Sequence, residues 1–200
     1  MTGSGIIILA AGESRRMGSP KLKLEIKGIS LLDYVLEITS SINEMETVLV
    51  LGAYMELYDK IAGKWSVHTV FNEKWQSGMG ISIVTGLHFH LDKSEGTINS
   101  VMILLADQPF VTKAYLENMI LKSTTSNKGI IVSDYGKVTG PPVIFKSTYF
   151  DKLLELKGDQ GAKHLIAHHQ NDCEVMSFPE GKYDINTPED LNRLMRRNSS

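Results

Sequence analysis

Short apolar runs alternate along the chain with segments in which apolar residues recur at the helical period. The runs are rich in Ile, Val and Leu and are bounded by Gly, Pro, Asn and Asp, as in buried β-strands. This alternation predicts an α/β fold: a single domain with a doubly wound, mostly parallel sheet and helices on both faces. The predicted strands are residues 5–11, 47–51, 67–71, 101–106, 129–132, 142–145 and 174–178. The predicted helices are residues 31–42, 55–62, 81–91, 113–123, 149–154, 162–169 and 189–196.

Residues 134–142 depart from this alternation. They contain Gly136, Gly140 and the consecutive prolines Pro141 and Pro142. Proline has no backbone N–H to give to a sheet, so within sheets it is confined to edges, strand ends and bulges. We therefore predict a loop with short strands and an edge segment here.

Residues 6–21 join an apolar strand to a loop of small and cationic residues, among them Arg15, Arg16 and Lys21. Such strands lie centrally in parallel sheets, and their carboxyl ends open onto the ligand crevice. Small residues let backbone N–H groups approach a polyphosphate, which the cations would neutralise. The segment predicts a nucleoside triphosphate site. The alternative is an ordinary turn with solvated arginines.

Two common glycine motifs are excluded. A P-loop needs G-x-x-x-x-G-K-[ST], but five residues separate Gly12 from Gly18, and Lys21 follows a proline. The dinucleotide fingerprint G-x-G-x-x-G should follow the first strand, whereas Gly3 and Gly5 come before its apolar core.

Asp107 directly follows the apolar strand predicted at residues 101–106, and Pro109 blocks further pairing. An acid there faces the same crevice, and Mg²⁺ typically takes one or two carboxylates together with phosphate oxygens and water. Asp184 lies three residues before the helix cap at Thr187, so a role as the cap itself cannot explain it. We therefore predict that it is the second metal ligand. For Asp107 the alternative is a turn in which the side chain caps its own backbone.

Residues 71–82 follow the third strand and carry Gly78 and Gly80 on either side of Met79. The glycines permit close approach of a flat base, and the Ser82 hydroxyl can bond to its edge. A plain helix N-terminus with glycine turn residues remains the alternative.

Bulk properties narrow the function. The chain has 200 residues and a net charge of −2, which leaves no basic footprint for nucleic acid. No apolar stretch reaches transmembrane length, and the single cysteine, Cys173, fits a reducing cytoplasm. We expect a cytoplasmic protein that binds neither nucleic acid nor membrane.

The run at residues 9–21 resembles the signature L-A-A-G-x-S-x-R-M-G-x-x-K of the MobA-like nucleotidyltransferases. It is most similar to the branch that attaches CMP to the molybdenum cofactor. The resemblance continues in order along nearly the whole chain, at residues 72–86, 104–109, 140–145, 158–163 and 184–191.

The resemblance implies a Rossmann-like fold with a nucleotide-binding half at about residues 1–110 and an acceptor-binding half at about 111–200. It marks Arg16 and Lys21 as catalytic, leaves Arg15 variable, and supports Asp107 and Asp184 as ligands of Mg²⁺ or Mn²⁺. Asn186 stands where the family has a second acid, so that position is not assigned to metal. The implied nucleotide-binding residues are Leu9, Ala10, Ala11, Gly12, Arg16, Lys21, Gly78, Met79 and Ser82.

For the base, the resemblance favours cytosine, because residues 9–12 read L-A-A-G and residues 107–109 read D-Q-P. For the acceptor it implies Pro142, Gly158, Asp159 and Lys163. Lys163 replaces a family arginine, which keeps the charge but loses the bidentate fork.

The expected reaction is transfer of CMP from CTP to the terminal phosphate of a molybdopterin-type cofactor that serves a client molybdoenzyme. The alternatives are a related transferase that uses GTP or a sugar or polyol phosphate, and a non-catalytic carrier of the cofactor. His164 and His168 have the spacing of metal ligands, but no carboxylate or thiolate completes a set, so a solvated helix face is expected.

Overall fold

The structure, a computed structural model, describes residues 3–15, 17–26, 28–42, 45–159, 161–183 and 190. Its strands are β1 Ser4–Ala10, β2 Glu25–Ile26, β3 Ile29–Ser30, β4 Met45–Leu51, β5 His68–Phe71, β6 Ser100–Leu105, β7 Ile130–Asp134, β8 Thr139–Lys146 and β9 Cys173–Ser177. Its helices are α1 Leu31–Ser40, α2 Met55–Ala62, α3 Met79–Lys93, α4 Lys113–Thr125, α5 Phe150–Leu154 and α6 Ala162–His168. The predicted helix at 189–196 lies outside the described residues, apart from residue 190. None of the helices in the described part is long and apolar enough to cross a membrane.

Seven strands form one sheet in the order β5-β4-β1-β6-β8-β7-β9, and β2 pairs with β3 in a separate hairpin. β1 runs parallel to β4 and β6, and β4 runs parallel to β5. β8 is antiparallel to β6 and β7, and β9 is again parallel to β7. The predicted α/β fold with a mostly parallel sheet is confirmed. The β2–β3 hairpin was not predicted, because two-residue strands are too short to carry a period.

The sheet is covered on both faces, as predicted. Side chains of a strand point alternately to opposite faces. Ile6, Ile8 and Ala10 of β1 pack in one apolar layer with α1, α2 and α4. Ile7 and Leu9 pack in the opposite layer with α3, α5 and α6. β1 is therefore buried on both sides, which explains why its sequence is apolar throughout.

Strand β8 corrects the prediction of an edge segment around the two prolines. Pro141 and Pro142 lie inside β8, which is an interior strand between β6 and β7. They fit because β6 pairs with β8 only at residues 143–146, beyond the prolines, and a register shift between Val132 and Ser133 interrupts the ladder with β7. The Pro142 carbonyl accepts a hydrogen bond from the Ser133 hydroxyl at 2.6 Å, so a side chain satisfies this backbone group.

Helix α3 carries a buried histidine at the end of the sheet opposite the cleft described below. His90 is 2% exposed, and its Nε2–H donates to the Ile6 carbonyl at 3.1 Å. Burial lowers the pKa of His90, the Ile6 carbonyl and the charge of Glu46 oppose that shift, and His68 and Lys93 add to it. The folded protein therefore holds His90 neutral under conditions in which an unfolded chain would protonate it.

This arrangement predicts a pH dependence of stability. A histidine whose pKa is lowered by folding leaves the unfolded chain with more bound protons, so the free energy of unfolding falls as the pH drops below about 6.5, the unfolded value. Above that pH the histidine is neutral in both states, so its contribution to the free energy of unfolding no longer changes with pH. In His90→Gln, whose amide can still donate to Ile6, the loss between about pH 7 and about pH 5.5 should shrink.

Urea denaturation across this pH range measures the effect. His88→Gln, at an exposed position of the same helix, is the matched control and should keep the wild-type pH dependence. Identical pH profiles for His90→Gln and the wild type would show that His90 does not drive the effect.

Candidate functional site

A cleft of about 460 Å³ opens at the carboxyl ends of β1 and β6. Its walls come from the loop after β1, the turn before α3, the loop after β6 and the loop before α6. The predicted nucleotide-binding residues that line it are Leu9, Ala10, Ala11, Gly12, Lys21, Gly78, Met79 and Ser82. The predicted metal ligand Asp107 and the predicted acceptor residue Asp159 line the same cleft.

The loop after β1 is held at both ends. The Ala11 carbonyl accepts from the backbone N–H of Ala53 at 3.1 Å, which ties the start of the loop to the end of β4. A Cβ on Gly52 would lie 2.4 Å from that carbonyl oxygen, so only glycine permits this approach. Further along, Met17 N–H donates to the Ser14 carbonyl at 2.9 Å, and Ser14 has a left-handed φ of 56°. The backbone therefore turns sharply at Ser14.

Arg15 lines the cleft but is engaged at its rim. Its Nε donates to the Glu13 carboxylate at 2.7 Å, and its side chain is 80% exposed. The Glu13 carbonyl in turn accepts from the Tyr54 hydroxyl at 2.8 Å. Arg16, the arginine predicted to contact the triphosphate, lies outside the described residues.

The opposite charges at the cleft floor come from two distant parts of the chain. The ammonium group of Lys21 donates to Oδ2 of Asp107, and the two side chains are 17% and 15% exposed. Lys21 is the first residue of the short 3₁₀ helix Lys21–Lys23. The buried side chain of Leu22 anchors this helix in the core. Asp107 lies two residues after the end of β6 at Leu105. The fold thus brings the predicted phosphate-binding cation into contact with the predicted metal ligand.

The second carboxylate oxygen of Asp107 is the feature that fits a divalent cation. Oδ1 is buried and accepts no hydrogen bond from the described residues. A buried carboxylate oxygen without a donor is costly unless a ligand uses it. The part of the chain that the structure describes contains no cluster of three or more His, Cys, Asp or Glu side chains able to hold a metal. Asp184, the second predicted ligand, lies outside the described residues.

The turn before α3 is organised by a buried asparagine. Asn72 is 3% exposed, and its Nδ2 donates to the Ser82 hydroxyl at 3.0 Å. Its Oδ1 accepts from the backbone N–H of Lys74 at 3.0 Å. Since the Ser82 oxygen already accepts a bond, its hydrogen is available to donate to a ligand. The side chains of Trp75 and Gln76 contribute to the same wall.

Two loops far apart in sequence interlock at Gly78. The backbone N–H of Gly80 donates to the Gly158 carbonyl at 3.0 Å. Gly78 has a φ of 110°, and a Cβ there would lie 2.3 Å from the carbonyl carbon of Gly158. A Cβ on Gly161 would lie 3.1 Å from the sulfur of Met79. The predicted base loop and the predicted acceptor loop therefore form one packed unit.

The remaining predicted acceptor residues lie outside the described cleft lining. Gly158 supports Gly78 from behind, Pro142 is buried in β8, and Lys163 is exposed on α6. Gln108 also turns away from the cleft: its Nε2 donates to the Pro141 carbonyl at 3.0 Å. His164 and His168 lie side by side on an exposed face of α6, with ring centroids 4.2 Å apart and ring planes tilted by 38°.

Some cleft residues were not predicted as site residues. They are Glu13, Ser14, Leu22, Trp75, Gln76 and Leu105. Glu13 and Ser14 stand inside the glycine loop, so their position in the motif was an available signal. Leu22 and Leu105 are ordinary core residues by type, and only the folded geometry places them at the cleft.

The family model of the MobA-like NTP transferase domain matches residues 6–173 of this chain. Purine catabolism protein PucB of Bacillus subtilis (strain 168) is 30% identical, and the alignment covers 95% of each protein. Nicotine blue oxidoreductase of Paenarthrobacter nicotinovorans is 27% identical over 94% of this chain and 95% of that protein.

Solved structures share the fold over almost their whole length. Rv0371c of Mycobacterium tuberculosis H37Rv has a TM-score of 0.79 at 24% identity, covering 98% of this chain and 99% of that one. A further structure of that protein is a complex with manganese. Molybdopterin-guanine dinucleotide biosynthesis protein A of Archaeoglobus fulgidus has a TM-score of 0.73 at 19% identity and covers 98% of each chain. 4-Diphosphocytidyl-2C-methyl-D-erythritol synthase of Anaerococcus prevotii DSM 20548 has a TM-score of 0.75 at 18% identity, covering 100% of this chain and 97% of that one.

The interlock at Gly78 yields a prediction on stability. Gly78→Ala places a methyl group against the backbone of Gly158 and also strains a positive φ. Gly96→Ala is the matched control, because Gly96 has a φ of 77° with no atom within 4 Å of its added Cβ. We expect the control to lose about 1–2 kcal/mol from backbone strain alone. Gly78→Ala should lose about 1–3 kcal/mol more, because the methyl group overpacks against Gly158 and because a φ of 110° with a ψ of 173° is essentially restricted to glycine.

Chemical denaturation of both variants provides the measurement. Equal losses in the two variants would mean that the loop of Gly158 moves aside without cost, and that the two loops are not rigidly packed.

Proposed function

Because the chain belongs to the MobA-like NTP transferase domain family, we propose that it transfers CMP from CTP to the terminal phosphate of a molybdopterin-type cofactor and releases pyrophosphate. In this proposal residues up to about 110 bind the nucleotide and the later residues bind the acceptor. A client molybdoenzyme receives the product.

One observation carries the proposal: the glycine loop, Lys21 and Asp107 meet in a single cleft. The loop offers backbone donors, Lys21 offers a compact positive charge, and Asp107 offers a buried carboxylate oxygen without a protein donor among the described residues. Each of these groups suits one part of a metal-bound triphosphate. No histidine or cysteine is among the described residues that line the cleft, so a nucleophile activated by such a base has no support there.

The reaction requires little more from the protein than alignment and charge compensation. A phosphate monoester has a second pKa of about 6 and is largely anionic at neutral pH without a general base. Lys21, together with Arg16, neutralises charge on the α-phosphate as the acceptor attacks in line. Asp107 and Asp184 would hold Mg²⁺ or Mn²⁺, which when bound would stabilise the charge that develops on the leaving pyrophosphate.

The choice of cytosine rests on the resemblance of the L-A-A-G and D-Q-P patterns to the CTP-using branch of the family, and the turn before α3 offers the contacts to the base. Gly78 and Met79 would flank the base, and the Ser82 hydroxyl, fixed by Asn72, would donate to one of its acceptor atoms. Solved structures of this fold include a diphosphocytidyl-methylerythritol synthase and a molybdopterin-guanine dinucleotide protein. Guanine therefore remains the alternative base, and a sugar or polyol phosphate the alternative acceptor.

An oxidoreductase function, which the name of one relative suggests, has less support in this chain. A dinucleotide-binding domain places its glycine fingerprint after the first strand, where this chain has Ala11, Gly12, Glu13 and Ser14. The non-catalytic carrier is the other alternative and is separated by experiment below.

The decisive experiment offers CTP or GTP, with Mg²⁺ or Mn²⁺, to the purified protein together with molybdopterin or with sugar and polyol phosphates. Pyrophosphate release and the mass of the product are measured. We expect release with CTP and molybdopterin and a product heavier by CMP. Preference for GTP would overturn the base, release only with a sugar or polyol phosphate would overturn the acceptor, and no release would favour the carrier.

Variants at the charged pair give the second functional prediction. Asp107→Asn and Lys21→Met should each lower kcat by about 100- to 1000-fold, the usual loss for a group that stabilises developing charge. Lys23→Met removes an exposed lysine from the same turn and should leave kcat unchanged. A carrier would tolerate all three substitutions in a delivery assay.

The placement of Gln108 gives a third functional prediction. Its amide holds the Pro141 segment rather than facing the cleft, so Gln108→Met should leave the ratio of kcat/KM for CTP and GTP unchanged. It should instead raise the KM for the acceptor. Gln76→Met makes the same exchange at a residue that lines the cleft and should alter the nucleotide KM. A switch towards GTP in Gln108→Met would show that this residue reads the base after all.

A further inference from the structure

The contact between Lys21 and Asp107 joins two groups that the proposed reaction uses for different partners. Asp107 is needed for the metal and Lys21 for the nucleotide phosphates, yet here each serves the other. Both side chains are mostly buried, at 17% and 15% exposure, so water compensates neither charge well. An acid in this position needs a cation beside it whether or not a ligand is present.

The other charged groups of the described cleft lining do not supply that cation. Arg15 is bonded to Glu13 at the rim and is 80% exposed. Asp159 is exposed and carries the same sign as Asp107. Lys21 is therefore the cation that touches Asp107 within the described part of the cleft.

The carboxylate is nevertheless only half satisfied. Oδ2 accepts from Lys21, while Oδ1 is buried and has no donor among the described residues. A lysine ammonium is a single point charge with few donors, and it compensates a carboxylate less fully than a divalent ion with its own water shell.

The turn that carries Lys21 is held by contacts that do not involve its ammonium group. The backbone of its turn is fixed, because Leu24 N–H donates to the Lys21 carbonyl at 3.0 Å and Leu22 is 4% exposed. The side chain beyond is a flexible stem of single bonds that can carry the charge elsewhere in the cleft.

We propose that Lys21 occupies the place of the divalent cation at Asp107 until the metal–nucleotide complex arrives, so that the cleft selects the complex over the free ion. The inference rests on the proposed function for the identity of the ligands. A free ion must displace the ammonium and then face it across the cleft. The complex brings phosphates that receive the ammonium, so the exchange keeps every charge compensated.

The coupling is reciprocal: if nucleotide raises the affinity for metal, metal raises the affinity for nucleotide by the same factor. Removing the ammonium should therefore strengthen binding of the free ion and reduce the coupling. Both effects are measured by binding alone, with no turnover.

The test titrates Mn²⁺ alone into the full chain and follows loss of the electron paramagnetic resonance signal of free Mn²⁺. Lys21→Met should bind Mn²⁺ at least about fivefold more tightly than the wild type, the lower end of typical coupling between sites. Lys21→Arg keeps the charge and should show no gain in Mn²⁺ affinity over the wild type. Lys23→Met controls for loss of a lysine from the same turn, and the double variant Lys21→Met/Asp107→Asn should lose the gain. Circular dichroism verifies that each variant is folded.

A second arm repeats the titration with CTP and no acceptor. CTP should raise the Mn²⁺ affinity of the wild type. The ratio of the affinities with and without CTP should be smaller in Lys21→Met than in the wild type. The proposal is overturned if Lys21→Met binds Mn²⁺ no more tightly than the wild type, if the double variant keeps the gain, or if the ratio is unchanged.

These outcomes are independent of the transferase assay. A protein that shows the Lys21-dependent affinities but releases no pyrophosphate would refute the proposed reaction and retain the exchange. A protein that releases pyrophosphate while Lys21→Met binds Mn²⁺ like the wild type would support the proposed reaction and refute the exchange.

Discussion

The in-register parallel pairing of β1 with β6 is the constraint on which the cleft depends. Leu9 lies opposite Leu105, and Ala106 N–H donates to the Leu9 carbonyl at 3.2 Å, so both strands end at the same level. The glycine loop and the turn of Asp107 leave the sheet from that level. A shift of one residue would move every apolar side chain of β1 into the opposite core layer, which makes this register costly to alter. Core packing thus sets the distance between the glycine loop and Asp107.

A second constraint links the two halves of the molecule. The turn before α3 and the loop before α6 are far apart in the sequence, but Gly78 and Gly80 pack directly on Gly158. The wall that would hold the base cannot shift without moving the segment that carries Asp159. In the proposed reaction, donor and acceptor would therefore be positioned by one rigid unit, which favours the alignment that an in-line attack needs.

The sequence allowed prediction where the cause is local. Apolar runs predicted the strands that are buried on both faces, and the glycine loop identified residues that do line the cleft, because a loop and its strand are contiguous. β8 was wrongly placed at an edge, because the proline rule assumes a continuous ladder on both sides of the strand, whereas β6 pairs with β8 only beyond the prolines and a register shift interrupts the pairing with β7. The contact of Lys21 with Asp107 spans 86 residues and depends on strand order, which no local pattern reveals. Arg16 and Asp184 lie outside the described residues, and their roles stay predictions.

The pairing of Lys21 with Asp107 also bears on how a binding cleft coexists with a stable fold. A carboxylate at 15% exposure would destabilise the folded state if it stood alone, and a single buried charge left uncompensated costs several kcal/mol. The fold therefore cannot keep Asp107 free in anticipation of a ligand. A partner from the same chain that is strong enough to compensate the acid, yet mobile enough to leave, resolves this conflict. Lysine meets both conditions better than arginine, because its charge sits on a flexible stem and forms no planar fork with the carboxylate. The residue type at position 21 is thus explained by the ligand-free state as much as by the phosphates that it is proposed to bind.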